Sequence, residues 1–373
     1  MIVHPTPSQS TLSDPPTMAA PVPSRIYKDV ASLQALRARR WYVVMGVMLL
    51  LTCGAMVGCL QFGAHRLTMA EIWSALTFSS AGTEDVASVI IWDIRFPRIL
   101  MGLFVGASLA ITGAALQALV RNPLADPYVL GISSGAALGA TIGLALGLGA
   151  IVGGFGLPLF AFIGGGLSIV LVYGIAASQG QLPMHQLLLA GVIVNAVCSA
   201  LMMFVTSILN PASLYRVVLW LIGTLNAPSI PMLIGIGVCL LIAIVLFLRE
   251  SQALNLLAVG EDAARSLGVE SIRVQRTVFL VSAVLTGAVV SVSGMIGFVG
   301  MVIPHLVRIL CGADHRLLLP VSALGGGILL MVADTIARTV VAPAEIPVGV
   351  ITALIGGPFF IYLLMTRKYR FFA

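Results

Sequence analysis

Residues 230–270 read IPMLIGIGVCLLIAIVLFLRESQALNLLAVGEDAARSLGVE. The run 230–248 holds no charged residue, and about 20 apolar residues in a helix cross a bilayer. After it the chain changes character. Glu261, Asp262, Arg265 and Glu270 stand beside Gly260 and Gly268 in a stretch too polar to enter lipid. The first half predicts a membrane span. The second predicts a water-exposed segment between two spans, and a function must be found for it.

The same alternation runs along the whole chain. Hydrophobic residues make up 59% of the 373, charged ones 9%, and the mean hydropathy is +1.07. A soluble domain of this size needs far more surface charge, so lipid must solvate much of this one. Apolar runs predict an all-α polytopic membrane protein with ten spans: 41–63, 97–119, 132–150, 157–178, 186–207, 230–248, 274–294, 297–311, 317–340 and 348–366. The eighth is short and contains Pro304 and His305, which predicts a bent or half-buried element. The stretch 211–227 starts polar and reads as a short helix outside the membrane. The first run is too long for a signal peptide and lacks a small-x-small cleavage site, so a retained span is expected. Residues 1–36 carry Pro5, Pro7, Pro15, Pro16, Pro21 and Pro23 and are expected to be a disordered cytoplasmic segment ahead of a ten-helix domain, 37–373.

Ten spans put both termini on one side. With that side cytoplasmic, fifteen of the 20 Lys and Arg residues fall inside, and five (Arg66, Arg95, Arg98, Arg216 and Arg338) fall outside. This is a positive-inside asymmetry, and it places 249–273 in the cytoplasm. The net charge of +6 comes from such flanks and not from a basic patch interleaved with aromatics, so no nucleic-acid partner is expected.

Catalytic signatures are scarce. The only lysines are Lys28 and Lys368, and no Walker A loop is present, so the chain alone cannot be a P-loop ATPase. No H-E-x-x-H occurs. One G-x-S-x-G does, GISSG at 131–135, with Ser133 in the nucleophile place, but no strand precedes it. Gly131, Gly135, Gly139, Gly143 and Gly147 recur every four residues, so the motif reads as the start of a stripe for close helix packing. The five cysteines form no C-x-x-C pair and read as packing residues. No catalytic role, cofactor or metal is therefore expected on this chain. Asp334 and Glu345 fall near the outer ends of their spans, whereas proton-coupled carriers place carboxylates near the midplane. An ATPase-independent carrier or channel for a small solute is thus the weaker of two transport readings. In the charged segment, Glu261 and Asp262 suit the first turn of a short helix and Gly268 suits its C′ position.

Six stretches taken in order resemble the FecCD-type permeases of type II ABC importers over roughly residues 41–368. They are RFPR (95–98), RNPLADPYVLGISSGA (121–136), GEDAARSLGV (260–269), GFVGMVIPHLVR (297–308), ADTIAR (333–338) and EIPVGVITALIGGPFF (345–360). The resemblance implies the type II ABC importer permease fold in the cytoplasmic (inner) membrane of a bacterium. It implies a homodimer, with two ATPase subunits that use the ATP and an extracytoplasmic binding protein that delivers cobalamin, haem or a ferric siderophore. It implies a coupling region at 257–271, in which Gly260, Glu261, Asp262, Ala263, Ala264, Arg265, Ser266, Leu267 and Gly268 sit in a cleft of the ATPase. Arg95, Arg98 and Arg338 match arginines that meet acidic residues of the binding protein. Asn122, Pro123, Asp126 and Pro127, with Pro304 and His305, match positions read as architectural. The residues themselves leave other options open: Arg338 could pair with Asp334, and Arg95 with Asp93. Met202 and Met203 could face a pathway or simply pack.

Overall fold

The computed structural model describes residues 24–63, 65–77, 86–148, 155–177, 184–225 and 229–365, and among these there are helices and turns but no strand. The helices are α1 (Ser24–Gln61), α2 (Met69–Leu76), α3 (Val86–Val120), α4 (Ile132–Ala145), α5 (Gly156–Ala176), α6 (Met184–Ser207), α7 (Pro211–Ile222), α8 (Ile230–Arg249), α9 (Ser251–Val259), α10 (Glu261–Ser266), α11 (Ser271–Ser293), α12 (Val299–Cys311), α13 (His315–Ala337) and α14 (Val348–Met365). Each of the ten apolar runs carries a helix. Seven are long and apolar enough to cross a bilayer (α1, α3, α5, α6, α8, α11 and α13), while α4, α12 and α14 are shorter. The stretch after α6 forms the separate short helix α7, as its polar start predicts.

One boundary differs from the sequence reading. Helix α1 starts at Ser24, inside the stretch expected to be disordered, and residues 1–23 lie outside the described residues. The prolines end at Pro23, and no Gly or Pro interrupts 24–40, so nothing there breaks a helix. The chain divides into two units, Met1–Val44 and Met45–Ala373, and every site described below lies within the second.

Helix α3 is the centre of that second unit. From Val105 to Leu119 every residue is buried, against α13, α12, α11 and α8. Lipid tails are as apolar as leucine, so close contact, not apolar burial, must draw the helices together. Small residues allow it. A Cβ on Gly106 would overlap the Gly326 carbonyl oxygen of α13, and one on Gly113 would overlap the Gly300 carbonyl oxygen of α12. The glycine stripe of α4 packs in the same way on α5: a Cβ on Gly139 would overlap the Phe160 carbonyl oxygen.

Four breaks between the helices meet in one place. The segment after α7 meets the turn between α11 and α12, where the Thr224 amide donates to the Ser293 carbonyl at 2.9 Å. The start of α14 joins them, with Gly349 N–H reaching the Gly223 carbonyl at 3.4 Å. Tyr128, in the 3-10 turn Pro127–Leu130 before α4, donates its hydroxyl to the Ile296 carbonyl and accepts from the Ile296 amide, both at 2.8 Å. Non-helical backbone between membrane helices needs such partners, since lipid offers none.

Candidate functional site

The charged segment folds as α9, a sharp bend at Gly260, and the six-residue α10. Glu261 and Asp262 occupy the first turn of α10 and Arg265 its last, with Arg265 bonded to Glu261 at 2.8 Å across one turn. Both partners are solvated, so the pair contributes little, a few tenths of a kcal/mol at most. The end is better defined. Gly268 has φ +82°, its amide donates to the Arg265 carbonyl at 3.0 Å, and the Val269 amide donates to the Ala264 carbonyl at 2.9 Å. This is a Schellman closure with glycine at C′, as the sequence predicts.

The faces of this short helix divide cleanly. Ala264 is wholly buried in a cluster that also holds Leu254, Leu257, Val274, Val278, Phe247 and Leu119. It therefore fixes α10 to the body of the chain and has no surface left for a partner. Asp262, Ala263, Arg265, Ser266 and Leu267 face outward. Two apolar side chains are left in water there: Leu267 is 67% exposed and Val259, the residue just before the bend, 78%.

A residue the sequence reading passed over ties this segment to the membrane helices. Asn255, on α9, donates its amide to Asp314 Oδ1 at 2.8 Å. A carboxylate only accepts, so the other end of the Asn255 side chain is its oxygen, and it faces His315. That oxygen accepts from the His315 backbone amide at 2.9 Å and lies 2.7 Å from His315 Nδ1, which must carry the proton. Asp314 in turn caps α13 through the Arg316 amide at 3.1 Å. Burial alone would raise the Asp314 carboxyl, but the Asn255 amide and the Arg316 N–H outweigh it and hold the group below its ordinary value. Asn255 thus clasps the first turn of α13 to the segment that carries α10. A lone Asn in LNLLAV gave no periodic signal. Only the fold brings it to Asp314.

At the far end of the helices the three arginines expected to meet a partner lie largely inside the chain. Arg95 is 3% exposed and Arg338 7%. Arg95, at the end of a π turn inside α3 (Ile90–Arg95), donates to the carbonyls of Leu60 and His65 where α1 ends. It is not joined to Asp93. Arg338 donates to the Cys59 carbonyl at 3.1 Å and lies 3.7 Å from Asp334. Arg98 makes a forked contact with buried Asp334, at 2.9–3.1 Å, and reaches Glu345 at 2.9 Å. Such forks suit guanidinium geometry. Glu345 is the half-exposed member of this network.

The turn 121–131 is built by local bonds. Arg121 closes α3 in the left-handed region at φ 52°, and the Asn122 side chain accepts from the Leu124 amide at 2.9 Å. Pro123 follows, and Asp126 caps the 3-10 turn that opens with Pro127, accepting from the Tyr128 amide at 2.9 Å. Burial pushes the Asp126 carboxyl up to about 6, against the lowering effect of that amide. Pro304 lies inside α12, and His305 sets its ring edge-on to Phe359 of α14, 6.1 Å between centroids. These contacts fit architectural roles.

A model of the FecCD transport family matches residues 47–366. The hemin transport system permease HmuU of Yersinia pestis is 40% identical over 335 residues, covering 87% of this chain and 96% of its own. The cobalamin import permease BtuC of Halobacterium salinarum is 43% identical over 311 residues, covering 80% of each. Among solved structures, a metal-chelate type ABC transporter in an inward-facing conformation superposes with a TM-score of 0.76 at 33% identity, over 87% of this chain and 99% of that one.

Proposed function

The chain belongs to the FecCD transport family, and from that premise we propose that it is the permease subunit of an ATP-driven importer for a bulky metal chelate, a ferric siderophore, haem or cobalamin. It performs no bond chemistry. Two copies frame the pathway, two ATPase subunits act from the cytoplasm, and a binding protein delivers the solute from the other side. Both termini are cytoplasmic, in keeping with the fifteen-to-five split of basic residues.

The observation that carries this reading is the division of faces on α9 and α10. Ala264 and Asn255 fix the segment to the membrane helices, while Val259, Ala263 and Leu267 stand outward in water. A segment held firmly on one side, and presenting Leu267 and Val259 among Asp262, Arg265 and Ser266 on the other, transmits a push. Partner closure on Leu267 moves α9, and α9 moves α13 and α11 through the Asn255 clasp and the Ala264 packing. The buried arginines suggest a modified picture of the outer side. The half-exposed Glu345 carboxylate is the part of that network a partner surface can reach, and it suits a basic group rather than an acidic one, while Arg95 and Arg338 hold α1 in place.

The test is a Leu267→Asp variant in the complex purified from producing cells. Burying a leucine at an interface contributes roughly 1.5–3 kcal/mol, so association with the ATPase should fall at least about tenfold. Association at wild-type level would remove the coupling role of this face.

A further inference from the structure

The motif GISSG has no part in the coupling account, and its Ser133 is one of six buried serine and threonine hydroxyls without a partner among the described residues. It is 4% exposed, and its hydroxyl has no hydrogen-bond partner. Ser133 lines a cavity of about 320 Å³ together with Tyr128, Asn195, Ser199, Met202 and Met295. The cavity sits where the turn before α4 and the turn between α11 and α12 are joined through Tyr128 and Ile296. Its remaining wall is α6. Asn195 lies halfway along that helix, on an exposed face, and no hydrogen bond holds its amide among the described residues. An amide and a hydroxyl left unpaired in hydrocarbon are costly, and buried polar groups without partners are exceptional. Thr112, Ser282 and Thr286 also lack partners among the described residues; what sets Ser133 and Asn195 apart is that they line one cavity large enough for water or part of a solute to meet them.

We infer that this cavity is a contact station on the solute's route, about midway along α6, and that its ligand is a chelate whose rim carries amide, carboxyl or hydroxyl groups. The inference rests on the permease reading. The lining supports the ligand class. It offers one amide, hydroxyls, a phenol whose hydroxyl is already engaged, and two thioethers, with no charge of either sign. Such a wall gives hydrogen bonds to a polar rim and soft contact to its apolar parts. It binds no one charge strongly, so a solute can enter and leave, as transport requires. Met202 belongs to this wall, so the proposal puts it on the pathway. The apolar groove that Val197 lines with α4 and α5 is the contrasting surface of the same helix.

Two readouts test the inference. In the first, Asn195→Cys and Val197→Cys are made in the complex, in membranes of producing cells, and treated with a charged methanethiosulfonate that reacts only through water. Above the wild-type background, the Asn195→Cys thiol should react at least about tenfold faster. Equal slow rates at both positions would overturn the proposal. In the second, uptake of hemin, cobalamin and a ferric hydroxamate is measured at sub-saturating concentration. For whichever probe the wild type carries, Asn195→Val and Ser133→Ala should each lower uptake about fivefold, the worth of one hydrogen bond. Ser133→Ala removes an unpaired buried hydroxyl, so it should melt at the same or a higher temperature. A merely structural serine gives that melting result with unchanged uptake, which would overturn the proposal. If the wild type carries none of the three probes, the chelate reading falls, and the labelling rates still decide whether the cavity is a wet station.

Discussion

Replacing Asn255 by alanine removes the clasp between α9 and α13. The variant loses a donor to the Asp314 carboxylate at 2.8 Å and an acceptor for the His315 amide at 2.9 Å and its Nδ1–H at 2.7 Å. The first bond is exposed and screened, so about 1 kcal/mol is a fair value for it. The second leaves a buried helix-start amide and ring N–H unpaired, which costs roughly 1–2 kcal/mol more. The sum, about 2–3 kcal/mol, loosens the attachment of α9 without touching its outward face. The variant should therefore still bind the ATPase. Its melting temperature should fall modestly, and transport per ATP hydrolysed should fall severalfold, because closure of the partner no longer moves α13 fully. Asn255→Asp sharpens the test. It keeps acceptors for His315, loses the donor, and sets a second carboxylate against Asp314, so it should uncouple more strongly than alanine. Hydrolysis and uptake measured together on the purified, reconstituted complex give the ratio. A normal ratio in both variants would refute the idea that Asn255 carries motion.

Further outcomes follow from the same contacts. Arg98→Met leaves Asp334 buried with only a distant partner, a loss of about 3–5 kcal/mol, and adding Asp334→Asn should restore most of the melting temperature; failure of that rescue would show that the network is not what holds this end. Gly139→Ala drives a methyl group into the Phe160 carbonyl and should cost on the order of 1–3 kcal/mol, visible as a lower melting temperature, whereas Gly260→Ala, with open space around it, should cost far less packing. Asp126 has a folded pKa raised to about 6, above the ordinary carboxylate value of about 3.9, so its contribution is fullest below that lower value and declines as pH rises towards 6. Asp126→Asn keeps the acceptor for the Tyr128 amide and should flatten this part of the stability profile in a melting series. An unchanged slope would show that Asp126 is not the group responsible.

The span pattern was legible because lipid makes it so: each apolar run that suits a bilayer became a helix, even the three that are too short to cross alone. Gly268 was legible too, since a C′ position asks for a residue tolerant of positive φ. What escaped the sequence depends on distant contacts. Ala264 looks like any residue of a charged helix, but its face is set by Leu254, Val274 and Phe247. Arg95 and Arg338 looked like outer-surface cations, yet the carbonyls at the end of α1 take them in, because a helix terminus leaves such groups unpaired. Asn255 and Ser133 gave no signal in their own neighbourhoods. Each acquires meaning only from a partner, or the lack of one, supplied by other helices.

The most direct measurement of the central claim is uptake of hemin, cobalamin or a ferric hydroxamate into proteoliposomes holding the chain, with and without its ATPase and ATP. The account predicts accumulation of one of these solutes only when both ATPase and ATP are present, and its loss in Leu267→Asp. Accumulation by the chain alone, driven by an ion gradient and indifferent to Leu267, would contradict it.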